Sequence, residues 1–366
     1  MNYAEKISDE IAKTLNMNGP LWSLWEEWCS QAFQQGHAIR AMLAMNRIKP
    51  KEIYLDMAKD WAVMTLRLQG TQGHPDRYNM GYGEQIKNGV PRSWFVADCG
   101  TLAVALLDVA SFLPEKDKLR NEIIDSVKRF ADYIIKNWTL KDGSFTLGYL
   151  NFEAQEKEPY HCANAQSNLF LWPLWKVTGD AIYREQALKA TQWLASWTDY
   201  DCPYWGSPVH NRAYNCESLF TSLAHIDKNE KIYRKVVENI EKYIIRWATE
   251  NFEKGWFKNG VPAHAKDPLL VMNLLLYKKY IKADPIVVNT AKKALKGIEK
   301  VLDKSFKSVE KHNVSGMALA SNTSAARKDT DLFENILLNK FYVTDGLTGM
   351  AMVFSNDPDA MYPFSN

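Results

Sequence analysis

Apolar and polar positions along the chain follow the spacing of helices. Amphipathic stretches, with apolar residues every three or four positions against a charged face, cover residues 51–68, 115–138, 180–197, 229–247 and 284–306. Between them lie stretches that are apolar on nearly every side, at residues 100–112, 169–177, 219–224 and 269–277. A helix that is apolar all round is buried all round, so the pattern predicts outer helices that alternate with inner helices.

The helical pattern repeats along the sequence. The tripeptide Ile-Tyr-Arg begins at residue 182 and again at residue 232, and the two copies run on to Trp197 and Trp247. A looser copy ends at Trp138. An irregular stretch with a histidine follows each copy and leads into an apolar helix; these histidines are His161, His210 and His264.

A period of about 50 residues built from two helices is typical of helical hairpins that pack in a ring or a stack. We expect an all-α fold, an (α/α)6 or (α/α)7 toroid, with residues 1–366 forming a single domain. A linear solenoid is the alternative. Strands are expected only as short pieces at residues 143–149 and 255–257, without a major sheet.

Composition excludes several classes of partner. The chain has 366 residues, 46% of them hydrophobic and 24% charged, with a net charge of +2 and no basic run. Binding to nucleic acid through phosphate neutralisation is therefore not expected. No apolar run reaches membrane-spanning length and the N-terminus lacks a signal-peptide pattern, which predicts no membrane association and a cytoplasmic protein. A secreted or periplasmic protein with its signal removed would look the same.

The residues that carry chemistry lie just before the inner helices or in their first turns. In a toroid these ends gather in one funnel, where polar and aromatic side chains form a site for a polar ligand. Two tryptophans in polar loops add flat apolar faces suited to stacking on sugar rings. The candidates are Trp94, Asp98, His161, Asn164, Trp205, His210, Asn211, Arg212, Tyr214, Glu217 and His264.

Several candidates also have a structural interpretation. Asp98 is a suitable N-cap for the helix near Gly100. Asn164 needs hydrogen-bond partners wherever it is buried, and neighbouring helices can supply them. Glu217 enters an apolar run, where a carboxylate must be paired; Arg212 or a neighbouring helix is the simplest partner.

Metal and cofactor sites are not predicted. No two histidines have the i, i+4 spacing of a helical metal site, there is no His-Glu-x-x-His, and no glycine-rich phosphate loop is present. The five cysteines include no Cys-x-x-Cys pair, so buried free thiols are expected rather than disulfides or metal ligands.

Residues from Trp94 to Asp180 resemble the unsaturated glucuronyl and rhamnogalacturonyl hydrolases. Asp98, two residues before Gly100, looks like the first catalytic aspartate of that family. The run from Asn164 to Trp172 and the following Thr-Gly-Asp resemble the segment that holds the second. The resemblance implies an (α/α)6 toroid and hydration of unsaturated sugars. Asn164 stands where the second aspartate would be, and an amide cannot exchange a proton as a carboxylic acid does.

His210, Arg212 and Tyr214 resemble the residue set of a second group of helical toroids, the polysaccharide lyases that act on uronic acids. That resemblance implies that an Asn with His or Arg neutralises the uronate carboxylate while a Tyr or His moves the proton. Here Asn164, with His161 or Asn211, would neutralise the carboxylate. His210 and Tyr214 would move protons.

These observations favour a carbohydrate-active enzyme for uronic-acid poly- or oligosaccharides, with a preference for a lyase that works by β-elimination. The first alternative is a glycoside hydrolase that uses Asp98 with Glu217 or Asp267. The second is a non-catalytic sugar-binding protein. The sequence gives neither the sugar and its linkage nor the oligomeric state.

Overall fold

A computed structural model describes residues 5, 9, 32–69, 85–87, 90–150, 153–202, 208–257 and 267–312. Its inner helices are α1 (Ala32–Ile48), α3 (Val96–Ser111), α5 (His161–Thr178), α7 (Pro208–His225) and α10 (Asp267–Tyr280). Its outer helices are α2 (Glu52–Leu68), α4 (Lys118–Asn137), α6 (Ala181–Ser196), α8 (Lys231–Asn239), α9 (Arg246–Glu250) and α11 (Pro285–His312). A π-helical segment, Ile240–Ile245, joins α8 to α9.

The inner helices follow one another around the core. Helix α1 packs on α3, α3 on α5, α5 on α7, and α7 on α10, and each inner helix also packs on the outer helix that follows it in the chain. The structure therefore has the predicted all-α toroid architecture, with five inner–outer pairs in the part of the chain that it describes. No helix in that part is both long and apolar enough to cross a membrane.

The inner helices begin earlier than their apolar runs. Helix α5 starts at His161 rather than near Leu169, and α7 starts at Pro208 rather than near Leu219. Their first turns contain polar residues, yet that of α5 is fully buried and that of α7 is buried except for the partly exposed Pro208 and His210. Helix α1, which lies before the predicted helices, is a further inner helix. Periodicity missed these segments because their polar residues find partners only in the folded chain.

Two glycines allow the inner helices to approach closely. A Cβ on Gly36 of α1 would lie 2.8 Å from the Thr101 carbonyl oxygen of α3. A Cβ on Gly100 of α3 would lie 3.1 Å from the Gln166 backbone of α5. Gly100, two residues after Asp98, thus has a role in helix packing that does not depend on its resemblance to a catalytic motif.

The outer helices present one apolar face to the inner ring. In α4, Ile123, Val127, Phe130 and Ile134 are fully buried, and their spacing is that of a helical stripe. The helix begins at the N-cap residue Asp117, whose carboxylate accepts a hydrogen bond from the Leu119 backbone N–H at 2.8 Å. The amphipathic pattern of the outer helices is confirmed.

A four-stranded antiparallel sheet corrects the expectation of isolated strands. It contains β1 (Gln85–Lys87), β2 (Val90–Phe95), β3 (Thr146–Leu150) and β4 (Glu153–Pro159), in the order β1-β2-β3-β4. The strand expected within residues 143–149 is present as β3. The one expected at residues 255–257 is wrong, because a π-helical segment covers Phe252–Trp256.

Buried ion pairs cross the inner ring. Arg40 of α1 donates a 2.6 Å hydrogen bond from Nη2 to Glu217 Oε1 of α7, and neither side chain has exposed surface. Arg47, two turns along α1, pairs with the buried Asp108 of α3. Burial raises the pKa of the Asp108 carboxyl, and the arginines oppose that rise. Each charge depends on its partner, because an unpaired charge in the core is costly.

A hydrogen-bonded polar ladder joins α5, α6 and α7. The Asn168 amide nitrogen donates to Ser218 Oγ at 2.9 Å and to Ser222 Oγ at 2.6 Å. Its oxygen accepts from the Thr191 hydroxyl at 3.1 Å. All four side chains are buried, so the ladder satisfies polar groups inside the ring and fixes the helices against one another.

Candidate functional site

The sheet brings the starts of two inner helices together. Strand β2 runs directly into α3, and β4 ends two residues before α5. Strand β3 lies between them, pairing Phe95 with Gly148 on one side and Thr146 with Pro159 on the other. The first turns of α3 and α5 are therefore neighbours, as the toroid predicts, and α7 packs beside α5.

His161, the first residue of α5, is buried and fixed on three sides. Its ring stacks on Trp197 with the ring centroids 4.8 Å apart and the planes 4° from parallel. Its Nε2 lies 3.1 Å from Cys162 Sγ. Asn211 also hydrogen-bonds the ring, but desolvation dominates and lowers the pKa of His161 to about 4. The imidazole is therefore neutral at neutral pH.

His210 meets His161 at the start of α7. The two rings are edge-on, with centroids 6.1 Å apart and planes at 88°. One turn later in α7, the Tyr214 ring lies 4.7 Å from His210, also edge-on. His210 is partly exposed, whereas His161 and Tyr214 are buried. The predicted convergence of the two repeat histidines is confirmed, while their catalytic and binding roles stay predictions.

Asp98 lies in the first turn of α3 and is partly exposed. The helix begins at Val96 with Phe95 in the N-cap position, so Asp98 does not cap it and that interpretation is wrong. Burial raises the pKa of Tyr160 well above its usual range, and contact with Cys162 and the charge of Asp98 add to the rise. Tyr160 thus links Asp98 on α3 to Cys162 on α5.

Asn164 is fully engaged by the backbone. Its Oδ1 accepts from the Phe145 N–H at 2.9 Å, and its Nδ2 donates to the Phe145 carbonyl at 3.0 Å and the Tyr160 carbonyl at 2.9 Å. The side chain has no exposed surface. Asn164 thus joins the residue before β3 to the start of α5. Both of its amide hydrogens are used, so the expectation that it binds a substrate carboxylate is corrected, while its standing in the place of a catalytic acid stays a prediction.

Replacing Asn164 with aspartate is expected to destabilise the fold by about 2–3 kcal/mol, because carboxylate oxygens would face two carbonyl oxygens in a buried site. The loss should be larger near pH 8 than near pH 5, since only the protonated acid can donate. Urea unfolding at both pH values measures it. The exposed Asn229→Asp change should alter stability by less than about 0.5 kcal/mol. A stable Asn164→Asp protein that gains hydrolysis of unsaturated glucuronides would show that Asn164 occupies an acid's place.

Arg212 has several partners within the protein. Its Nη1 donates to Asp201 Oδ1 at 2.8 Å, its Nε donates to the Tyr243 carbonyl at 3.0 Å, and its guanidinium lies 4.0 Å from the Trp247 ring centroid. It ties the loop before α7 to the outer helix. These contacts engage Nε and Nη1 within the protein, and the expectation that Arg212 binds substrate stays a prediction.

Asn211 connects the segment before α7 to the two histidines. Its amide nitrogen donates to the Tyr200 and Cys202 carbonyls at 3.1 and 3.2 Å. Its Oδ1 lies 3.4 Å from His210 Nδ1, and the side chain also hydrogen-bonds His161. With 1% of its surface exposed, Asn211 positions the histidines; its predicted contact with substrate is not tested.

Glu217 pairs with Arg40 and not with Arg212. A salt bridge to a neighbouring helix was one sequence-based interpretation and is confirmed. The carboxylate lies almost two turns beyond His210 and is fully buried, so the prediction that it binds substrate is corrected.

Three predicted residues lie wholly or partly outside the described structure. Trp94 belongs to β2, where it pairs with Tyr149, but its side chain is not described. Trp205 and His264 lie outside the described residues. Their predicted contacts with sugar and substrate stay predictions.

The sequence-based candidates omitted Tyr160, Cys162 and Trp197. Tyr160 and Cys162 flank His161, and Trp197 directly follows α6. The repeat contained a signal for Trp197, because the equivalent tryptophan of the next copy, Trp247, contacts the Arg212 guanidinium. Both tryptophans support a side chain in the first two turns of an inner helix.

Burial of the thiols agrees with the sequence-based expectation for three of the four described cysteines. Cys99, Cys162 and Cys216 are buried and Cys202 is partly exposed, and none of the four forms a disulfide. Cys29 lies outside the described residues.

Acid is expected to destabilise the protein through two neutral, desolvated histidines. Desolvation lowers the pKa of His161 and of His225 from 6.5 to about 4. Well above pH 6.5, both imidazoles are neutral in the folded and in the unfolded chain. Between pH 6.5 and 4 only the unfolded chain binds the extra protons, so the free energy of unfolding decreases as the pH is lowered. Each histidine contributes about 2–3 kcal/mol to this loss.

The His225→Phe variant isolates one contribution. The His225 ring stacks on Trp172 at a centroid distance of 5.5 Å, and phenylalanine keeps that contact without titrating. Between about pH 7.5 and about pH 4.5 the variant should lose about 2–3 kcal/mol less unfolding free energy than the unmodified protein. An equal loss in both proteins would contradict the assignment.

No protein-family model matches this chain, and no curated protein matches it. Solved structures share its fold. Cellobiose 2-epimerase from Bacillus thermoamylovorans B4167 has a TM-score of 0.56 at 12% identity, over 82% of this chain and 88% of that chain. A family 105 glycoside hydrolase from C. acetobutylicum ATCC 824 has a TM-score of 0.57 at 12% identity, over 79% and 81%.

A family 76 glycoside hydrolase (mannosidase) from Bacteroides thetaiotaomicron VPI-5482 has a TM-score of 0.56 at 12% identity and covers 97% of this chain and 98% of its own. At these identities the likeness shows the fold: an (α/α) toroid shared with carbohydrate-active enzymes that carry out different reactions.

Proposed function

We propose that this protein is an enzyme that isomerises or epimerises a reducing sugar by moving the proton on the carbon next to its carbonyl group. The observation that carries the proposal is the edge-on contact of His210 with both His161 and Tyr214 at the start of the inner helices. Histidine is the side chain whose ordinary pKa lies nearest neutrality, which suits proton transfer to and from carbon.

Acidic groups in the described structure do not favour hydrolysis. A glycosidase of the common type needs two carboxyl groups flanking the bond that is cleaved. Among the described inner helices, the first-turn acids are Asp98 and Asp267, and Asp267 is fully buried. Glu217 is committed to Arg40. Of these two first-turn acids, only Asp98 has exposed surface.

The distribution of cations favours a neutral sugar over a uronate. Lyase chemistry requires a group that neutralises the substrate carboxylate, and Asn164, with His161 or Asn211, was expected to do so. Asn164 is satisfied by the backbone, and Arg212 is paired with Asp201. A carbonyl already acidifies the neighbouring C–H bond, and a hydrogen-bond donor is enough to polarise it.

In the proposed reaction, the partly exposed His210 removes the proton from the carbon next to the carbonyl. The electrons of that C–H bond form the enediol double bond, and the carbonyl oxygen takes a proton from the Tyr214 hydroxyl. His210 then returns its proton to the adjacent carbon, which completes isomerisation. Return of the proton to the same carbon gives the epimer only if the enediol first turns its opposite face towards His210. Tyr214 recovers its proton from the hydroxyl that becomes the new carbonyl. His161 and Asn211 hold His210 in place.

The structural neighbours support this choice of substrate without deciding it. One is titled a cellobiose 2-epimerase and another a D-mannose isomerase, the latter with a TM-score of 0.56 over 79% of this chain. The same fold also carries glycoside hydrolases. The fold is therefore compatible with the reaction, and we base the choice among the alternatives on the residues at the starts of the inner helices, here called the mouth: His161, His210, Asn211 and Tyr214.

A uronate lyase is the second candidate, and the contact of Tyr214 with His210 favours it. The same two residues would then remove the C5 proton of a uronate and protonate the leaving oxygen. In this case the groups that neutralise the carboxylate would come from residues outside the described structure.

Product analysis separates the candidates. The protein is incubated with mannose, glucose and cellobiose, with alginate, pectate and glycosaminoglycans, and with unsaturated glucuronides, and all products are analysed by chromatography and ultraviolet absorbance. The proposal predicts an isomeric sugar of unchanged mass. Rising absorbance with a polymer would establish the lyase, falling absorbance of the unsaturated glucuronide would establish hydration, and binding without any product would establish a sugar-binding protein.

A further inference from the structure

We propose that His161, Cys162 and His210 form a binding site for a zinc-type divalent metal ion. Their ligating atoms, two imidazole nitrogens and one thiol sulfur, all lie within 4.8 Å of one another. The closest measured pair, His161 Nε2 and Cys162 Sγ, is 3.1 Å apart. Sequence spacing predicted no metal here, because His161 and His210 are on different helices and become neighbours only in the fold.

The spacing is close to what zinc requires. With Zn–S near 2.3 Å and Zn–N near 2.0 Å, the ligating atoms of a tetrahedral site lie about 3.3–3.6 Å apart. A movement of about 1 Å in the partly exposed His210 would bring its nitrogen to that separation, and the His161 Nε2–Cys162 Sγ pair, now 3.1 Å apart, would widen by about 0.4 Å. Side-chain rotations can supply shifts of this size.

The donor chemistry selects the class of ion. One thiolate with two imidazoles suits borderline and soft ions such as Zn²⁺ and does not suit Mg²⁺ or Ca²⁺, which prefer oxygen ligands. Cys162 is the second residue of α5, and the positive end of a helix dipole favours the thiolate that a metal needs. Three protein ligands leave a fourth position for water or a sugar oxygen.

Neighbouring groups orient the ligands. Asn211 hydrogen-bonds the His161 ring, and two backbone carbonyls fix Asn211. Trp197 stacks on the same ring, and Tyr160 contacts Cys162. Such outer contacts are typical of metal-binding histidines and raise affinity by orienting the ring in advance.

An ion at this site would occupy the histidine lone pairs that isomerisation uses. Zinc is therefore expected to inhibit sugar turnover, a consequence that rests on the proposed function. Metal binding itself does not rest on it and is tested without sugar. Absence of metal binding leaves the proton-transfer proposal standing, and absence of sugar turnover leaves the metal site standing.

Cobalt titration of tag-free protein under reducing, anaerobic conditions tests the site. The unmodified protein should bind one equivalent of Co²⁺ with a thiolate-to-cobalt charge-transfer band and tetrahedral visible bands, and Zn²⁺ should abolish both. Cys162→Ser should lose the charge-transfer band and bind Zn²⁺ at least about 100-fold more weakly. Cys202→Ser, which removes a free thiol outside the cluster, should behave as the unmodified protein.

No charge-transfer band in the unmodified protein, a band that persists in Cys162→Ser, or an equal loss in Cys202→Ser would overturn the proposal. Circular dichroism verifies that each variant folds. If Cys162→Ser does not fold, His210→Asn serves instead and should weaken zinc binding at least about tenfold, with unchanged binding counting against the site.

Discussion

Replacing His210 with asparagine is expected to lower kcat for sugar isomerisation about 100- to 10,000-fold, with a much smaller change in KM. His210 is the partly exposed imidazole of the mouth and lies edge-on to both His161 and Tyr214. Asparagine keeps a polar side chain but cannot accept a proton from carbon. Initial rates on the sugar found by product analysis measure the effect.

The matched control lies at the other end of the same helix. His225, the last residue of α7, stacks on Trp172 and is remote from the mouth in sequence and along the helix. His225→Asn should keep kcat within about threefold, provided that the assay temperature allows for some loss of stability. Equal losses in the two variants would indicate a general effect on the fold and would contradict the catalytic role of His210.

Replacing Glu217 with glutamine is expected to destabilise the protein by about 3–5 kcal/mol. The change removes the negative charge that the Arg40 guanidinium faces, in a site where neither the Arg40 nor the Glu217 side chain has exposed surface. Removing both charges in an Arg40→Met, Glu217→Met protein should recover much of the loss, because no unpaired charge then stays in the core. Urea denaturation of the unmodified protein and the two variants measures both the loss and its recovery.

A surface ion pair provides the comparison. Arg184 Nη2 lies 3.4 Å from Glu230 Oε1, and about a third of each side chain is exposed. Glu230→Gln should therefore cost less than about 1 kcal/mol. A similar cost at Glu217 would show that water reaches the Arg40–Glu217 pair, and its assignment to the buried core would then be wrong.

The outer helices could be predicted because their signal is local. Apolar residues return at helical spacing against charged faces, and no tertiary contact is needed to recognise them. The fully apolar parts of the inner helices were equally evident. The polar first turns of α5 and α7 were not, because Asn164 and Arg212 are satisfied by Phe145 and Asp201, which lie 19 and 11 residues away.

Part of the sheet was missed for the same reason. Strand β4, with the sequence Glu-Ala-Gln-Glu-Lys-Glu-Pro, lacks the alternating or β-branched pattern of a strand. Its conformation comes from pairing with β3, which did show a strand signal. Sequence spacing also could not show that Cys162 belongs with His161 and His210, since helix packing alone creates that cluster.

The repeat histidines show where sequence reasoning succeeded. Their equivalent positions predicted that His161 and His210 would meet, and the rings are 6.1 Å apart. The chemistry proved harder, because the roles expected of Asn164, Arg212 and Glu217 depended on those side chains being available. Each is occupied by partners that only the folded chain provides.

Hydrogen exchange at carbon tests the central claim most directly. The protein is incubated with a reducing sugar in heavy water, and proton NMR follows the hydrogen on the carbon next to the carbonyl. We predict that solvent deuterium replaces that hydrogen with the unmodified protein and with His225→Asn, and that exchange falls at least about 100-fold with His210→Asn. Product formed without deuterium at that carbon, or exchange that persists undiminished in His210→Asn, would contradict the account.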